Sequence, residues 1–322
     1  MRIGYAISGT RSASDTVAVA RLVEAAGFDE VWLAEDYFER GAFAVAGALA
    51  AATTRVQLGV GVVNPWTRHP VLTAMEFAAL DELSAGRAVL GLGTSNSHWM
   101  SDQLGIPFER PLGRLVEAVD LIRGVLSGQP VSHHGPAFDV EAGLSFRPLR
   151  PNAPIILGVK GPNALRQAGA IADGVLLSVL SSADYVRWAR SQLGRADRRM
   201  AGYVFLSCQL DAAEARDAAR PHVAKYLGIH GDHAITRQAG LEPELCARFR
   251  AGVLAGQPAT DLVTDDILDR VALAGDREAC AQGLCRLTDA GLETVVFIEL
   301  PGQSAADLVA ASLACADLAS AG

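Results

Sequence analysis

The sequence predicts an α/β chain folded as a (β/α)8 TIM barrel, and three observations carry that prediction. Short apolar runs rich in β-branched residues recur eight times, which is the mark of buried strands. Stretches of helical period separate them. Several of those helices end on a glycine just before the next run: Gly27, Gly86, Gly174 and Gly291. A glycine past a helix end takes the left-handed conformation that returns the chain to a sheet. Strand, helix, glycine and strand in repetition is the pattern of parallel βαβ crossovers. Eight units suggest closure into a barrel, with an open doubly wound sheet as the alternative.

The eight runs cover residues 2–7, 30–34, 56–63, 88–93, 154–158, 174–179, 202–208 and 294–298. Between the first two, Val19, Leu22, Val23 and Ala26 fall on one helix face, with Ser12 and Asp15 placed as a cap. Two connections exceed one helix. The first, 128–153, follows the fourth helix, is rich in proline and glycine, and reads as a hairpin-like insertion. The second, 209–293, follows the seventh strand and holds four helical stretches at 212–227, 243–255, 265–273 and 277–289, with 228–241 loop-like between the first two. No shift of composition marks a second core, so residues 1–322 read as one barrel domain carrying these insertions.

Half of the 322 residues are hydrophobic and 20% are charged, ample for a large core and unlike a disordered chain. A net charge of −8 argues against nucleic acid and against a polybasic membrane surface. No segment approaches the length of an uninterrupted apolar span, and residues 1–7 are too short an apolar run for a secretory signal. The expected location is cytoplasmic, the expected partner a small molecule.

In a barrel of this kind, chemistry sits on the loops that follow strands. After the second strand come Glu35, Asp36, Tyr37 and Phe38. The two carboxylates suit proton transfer or a hydrogen bond to a cofactor ring, and equally a capped helix with a solvated acid. The third strand holds Gly59 and Gly61, followed by Val62, Val63 and Asn64. Paired glycines inside a strand mark a bulge or a close approach to a ligand. His69, before Pro70, reads as a helix-start residue. After the fourth strand come Thr94, Ser95, Asn96 and His98, small polar groups placed to meet a cofactor's polar edge. The preceding Gly91 and Gly93 do not make a dinucleotide fingerprint, because Asn96 stands where its third glycine belongs. After the fifth strand, Gly158, Val159, Lys160, Gly161 and Pro162 open a helix. Exposed backbone N–H groups and a helix N-terminus favour an anion, and Lys160 is one of two lysines in the chain. This is a phosphate cradle without Walker A spacing.

Metal chemistry is not expected. The five cysteines are scattered and include no C-x-x-C pair, and His133, His134, His230 and His233 lie in the insertions, where they read as surface residues.

At these residues the sequence resembles the luciferase-like monooxygenase superfamily, and most closely its branch of F420-dependent methylenetetrahydromethanopterin reductases. The stretches that carry the likeness are 34–44 (AEDYFERGAFA), 59–93 and 154–177. The resemblance implies a deazaflavin, coenzyme F420, in the barrel mouth. It implies a hydrogen bond from Asp36 to the ring's polar edge and a non-proline cis peptide at Gly61–Val62 beneath the ring. Thr94, Ser95 and Asn96 would meet the ring or ribityl chain, and residues 158–162 the phosphate. It also implies a homodimer. The chain departs from the reductases at the end of the first strand, where they carry a glutamate and this chain has Ala6. The resemblance therefore leaves the substrate open and gives Glu35 or His98 as the proton donor.

The expected function is an F420-dependent oxidoreductase moving a hydride between the cofactor's C5 and a small organic substrate, with Asp36, Glu35 or His98 handling the proton. An FMN-dependent monooxygenase on the same fold is the first alternative, and a non-catalytic flavin-binding barrel the second.

Overall fold

The computed structural model describes residues 1–36 and 38–321. The first half of the chain runs β1 (Arg2–Ile7), α1 (Ala13–Ala25), β2 (Glu30–Leu33), α2 (Ala42–Ala52), β3 (Gln57–Val63), α3 (Pro70–Leu83), β4 (Ala88–Gly93), α4 (Pro111–Leu126), β5 (Val131–His134) and β6 (Asp139–Ala142). The second half runs β7 (Ile155–Gly158), α5 (Pro162–Ile171), β8 (Gly174–Leu177), α6 (Ala183–Leu193), β9 (Arg199–Cys208), α7 (Ala212–His230), α8 (Ala234–Gln238), α9 (Pro243–Leu254), α10 (Asp265–Val271), β10 (Leu273–Gly275), α11 (Arg277–Asp289), β11 (Thr294–Ile298) and α12 (Ala305–Ala321). The strand order is β10-β9-β11-β1-β2-β3-β4-β7-β8, and β9 also bonds β8, so the sheet closes as a (β/α)8 barrel. All eight expected strands form, and the doubly wound alternative falls.

Two details differ from expectation. The helix expected over 265–273 ends at Val271, and residues 273–275 form the short strand β10, paired parallel to Leu206, Ser207 and Cys208 of β9. The segment 228–241 is not a loop: α7 continues to His230, Gly231 ends it at φ +60°, and α8 follows. The gap after α4 holds the antiparallel pair β5–β6.

The chain divides into two compact units. One comprises Ile7–Val159 and Gln167–Leu176. Its parallel strands β2, β3, β4, β7 and β8 pair in that order, and every residue of β4 is buried. Polar ties hold its edges. Arg87 donates to the carbonyls of Ala50, Thr53, Val56 and Ser84. Arg150 grips Asp81, which is 2% exposed, through two nitrogens and also meets the Ala88 carbonyl. Such a fork on a buried carboxylate satisfies both partners at once.

The other unit comprises Met1–Ala6, Lys160–Arg166 and Leu177–Gly322. In it β11 pairs with β1 on one side and β9 on the other. The helical segment after β9 builds its own apolar cluster, with Phe205, Val223, Leu227, Leu241, Phe249 and Leu268 at its centre. Gly228 is needed there, because a Cβ on it would lie 2.5 Å from the Phe249 carbonyl oxygen. No helix among the described residues is long and apolar enough to cross a membrane.

Candidate active site

The first group of site residues belongs to the unit holding β2 to β8. Trp32 is fully buried on β2, and its indole N–H donates to the buried carboxylate of Glu30 at 2.8 Å. A Cβ on Gly59 would stand 2.2 Å from that ring, so Gly59 makes room for a core tryptophan and not for a ligand. Beyond it β3 bulges. The register against β4 shifts between Val60 and Val63, and the Gly61–Val62 peptide is cis. The Val62 side chain rests against three glycines. A Cβ on Gly93 would lie 2.7 Å from one of its methyls, one on Gly158 2.8 Å from the other, and one on Gly91 2.5 Å from the Val60 carbonyl oxygen. Glycines on β4 and β7 thus supply the volume that the bulge on β3 fills.

The loops after β3 and β4 are tied to each other. Asn64, 4% exposed, turns the chain by accepting from the backbone N–H groups of Trp66 and Thr67. The Trp66 indole then donates to the Thr94 carbonyl at 2.9 Å, and Arg114 lies over the Trp66 ring and donates to the Pro65 carbonyl. Next to Thr94, Ser95 is held at φ +59°, and its buried hydroxyl has no partner among the described residues. A left-handed non-glycine carrying an unsatisfied buried hydroxyl is a local cost, and it ends if a polar ligand edge meets that oxygen. Thr94 is half-buried. Asn96 is committed to its own loop, accepting from the Trp99 N–H at 2.9 Å.

The acids after β2 divide. Glu35 forms an ion pair with Arg68 and accepts from the Ala42 N–H at the start of α2 at 3.0 Å. It is a charged anchor for the loop, which argues against the role of proton donor. Asp36 is exposed after β2, and Tyr37 lies outside the described residues. His98 is also exposed, on a single wide π-type turn, His98–Gln103, where it pairs with Asp102 four residues on at 3.1 Å. Nothing there holds it in a catalytic pose. His69 caps α3 by accepting from the Val71 N–H, the helix-start role expected of it.

The second group belongs to the other unit. Tyr185 of α6 donates to the Lys160 carbonyl at 2.9 Å, fixing the backbone, and burial holds its phenol above the usual range. The Lys160 ammonium donates to His230 Nδ1 at 3.2 Å, and His230 Nε2 meets the Val179 carbonyl at 3.1 Å. A carbonyl only accepts, so the histidine proton sits on Nε2 and Nδ1 is left as the acceptor. Burial, and then the Lys160 charge, push the His230 pKa down to about 3, so the ring is neutral. Burial also lowers the Lys160 pKa, and no carboxylate pairs with it among the described residues. His233, whose pKa is lowered by burial and by Lys160, has its ring 4.0 Å from where a Cβ on Gly161 would stand. His230 and His233 were expected at the surface. Instead His230 is 9% exposed and His233 half-buried, because α7 runs one turn further than its apolar pattern suggested.

At the end of β1, Ala6 is buried and faces Ile298 of β11 in register. The carboxylate that follows, Glu299, accepts from the Tyr5 hydroxyl. Its position directly after the last strand is the signal that could have found it.

A model of the luciferase-like monooxygenase family matches residues 1–294. The chain belongs to that family. Among similar proteins, the 5,10-methylenetetrahydromethanopterin reductase of Methanolobus tindarius is 32% identical over 289 residues, covering 86% of this chain and 87% of that one. An F420-dependent glucose-6-phosphate dehydrogenase of Beutenbergia cavernae is 35% identical over 191 residues, covering 55% and 56%. The solved structure of the coenzyme F420 dependent tetrahydromethanopterin reductase of Methanopyrus kandleri superposes with a TM-score of 0.86 at 25% identity, covering 96% of each chain. The chain is thus similar to proteins named for different substrates.

Proposed function

We propose that the chain is an F420-dependent oxidoreductase that exchanges a hydride between the bound cofactor and a small organic substrate. The observation that carries this reading is Lys160, a desolvated ammonium that, among the described residues, hydrogen-bonds a neutral histidine and pairs with no carboxylate. A desolvated cation without a counter-charge is costly, and a phosphate at the turn 158–162 relieves that cost. The N-terminus of α5, opened by Pro162, adds backbone N–H groups of the same sign. The orphaned Ser95 hydroxyl separately fits a ligand with a polar edge. The relatives' names supply the identity of the cofactor, and F420 carries a phosphate and a ring with such an edge.

In this reading Gly158, Val159, Lys160, Gly161 and Pro162 hold the phosphate. Asp36, Thr94, Ser95 and Asn96 hold the ring and its chain, while Gly61, Val62 and Asn64 form the floor and the turn beside it. When bound, the cofactor accepts or gives the hydride at C5. The protein binds, orients and handles the proton, for which the Asp36 carboxylate, exposed directly after β2, is the assigned group. The substrate stays open: Ala6 stands at the end of β1, where the reductases are expected to carry a glutamate.

Fluorescence titration of the purified protein with F420 and, separately, with FMN tests the cofactor. Saturable F420 binding that inorganic phosphate weakens is expected. Tight FMN binding with no F420 affinity overturns the reading in favour of a flavin monooxygenase. Reoxidation of reduced F420 across a substrate panel tests the chemistry, and an Asp36→Ala variant with unchanged turnover removes Asp36 from it.

A further inference from the structure

Five cysteines scattered in sequence do not stay scattered in the fold. Cys208 ends β9, Cys280 lies one turn into α11 and Cys315 lies in α12. Their three sulfur atoms all fall within 4.8 Å of one another. Cys208 and Cys315 are 107 residues apart in the chain, yet their sulfurs are 3.9 Å apart. The other two cysteines stand aside: Cys246 packs in the apolar cluster around α7, and Cys285 points its thiol at the Ala319 carbonyl.

The spacing has a chemical meaning. Thiolates bind zinc at about 2.3 Å, so two sulfurs on one tetrahedral ion are separated by roughly 3.8 Å. The Cys208–Cys315 separation already matches that edge. A disulfide needs its sulfurs at about 2.05 Å, and pairing any two of the three would strand the third. The set is also reachable. Cys280 and Cys315 are buried and Cys208 is half-buried, and Cys208 lines an open cavity with Ser207, Gln209, Asp276, Gly302 and Gln303. Two buried thiols and a third at the edge of a cavity suit a three-ligand site whose fourth place is taken by water. Soft sulfur ligands select thiophilic ions over magnesium or calcium.

We propose that Cys208, Cys280 and Cys315 form a three-thiolate site for a thiophilic d10 cation, zinc(II) foremost, with its fourth position open to that cavity. Binding replaces three S–H bonds by three S–metal bonds, releases up to three protons to solvent and changes no oxidation state. The site ties β9, α11 and α12 together and is independent of the F420 assignment.

The experiment uses the reduced full chain freed of metal. Titration with Co2+, followed in the near-ultraviolet, is expected to give a thiolate-to-cobalt charge-transfer band that saturates at one equivalent and that Zn2+ abolishes. Zinc added in weak buffer with a pH indicator is expected to release two to three protons per ion, a readout that needs no variant. Cys315→Ser and Cys280→Ser should each weaken the band at least tenfold in apparent affinity, and Cys285→Ser should leave it unchanged. No charge-transfer band in the wild type, a band that survives both Ser variants, or release of less than one proton per zinc overturns the proposal.

Discussion

The Lys160–His230 pair makes acid sensitivity a quantitative expectation. His230 is neutral in the folded protein with its pKa held at about 3, against an ordinary value of 6.5 in the unfolded chain. A base whose folded pKa is depressed gives stability that is complete above the unfolded pKa and is lost as pH falls below it, because the unfolded chain then binds a proton the folded one refuses. Each unit of difference corresponds to about 1.4 kcal/mol, so at most ~5 kcal/mol is at stake by pH 3. At pH 5, about 1.5 units below the unfolded value, the loss is ~2 kcal/mol relative to pH 7.5. His230→Gln keeps a donor for the Val179 carbonyl and an acceptor for Lys160 but cannot titrate. Urea unfolding at pH 5 and pH 7.5 reads the difference. The wild type should lose ~2 kcal/mol more than the variant between the two conditions. Equal losses in both proteins would show that His230 is not held neutral between Lys160 and Val179, and the proposed uncompensated cation would lose its support.

Other expectations follow from the same residues. Lys160→Met should weaken F420 binding ~10–100-fold, the equivalent of about 1.4–2.8 kcal/mol, while raising the melting temperature of the cofactor-free protein, since it removes a buried charge; titration and thermal melts read the two opposite signs. Gly59→Ala drives a Cβ to 2.2 Å from the Trp32 ring and should destabilise by about 1–3 kcal/mol or more, seen as a lower urea midpoint. Arg150→Met leaves Asp81, 2% exposed, buried without its fork, and should cost about 3–5 kcal/mol by the same measurement.

Much of the barrel was legible because its signals are local. Apolar runs, helix faces and the glycines after helices each act within a few residues, and the eight strands follow from them. The strand β10 was not legible: Leu273–Gly275 is too short to show a period, and only its pairing with the end of β9 makes it a strand. The candidate site was readable only as position along the strand ends, with Asp36 after β2, Asn64 after β3 and the turn holding Lys160 after β7. It was not readable where a partner arrives from far along the chain. His230 reaches Lys160 from 70 residues away, and nothing in its neighbours separates a core histidine from a surface one. Glu35 reads as a free acid until Arg68 closes on it. The three converging thiols are the extreme case, since no spacing rule connects β9 to α11 and α12. Gly59 carried a true signal of close approach, but the neighbour is a tryptophan of the core.

The seat of Val62 among Gly91, Gly93 and Gly158 has a consequence for how this surface can vary. Removing methyl groups from Val62 leaves the neighbours in place and opens space beside the bulge, whereas adding a single carbon to any of the glycines meets an atom within 3 Å. Variation is therefore one-directional. Descendants of this chain can reshape the floor by trimming residue 62, and a larger residue at position 93 or 158 becomes acceptable only after that trimming, while Gly91 stays closed by the Val60 carbonyl oxygen, so the order in which such substitutions accumulate is set by the packing.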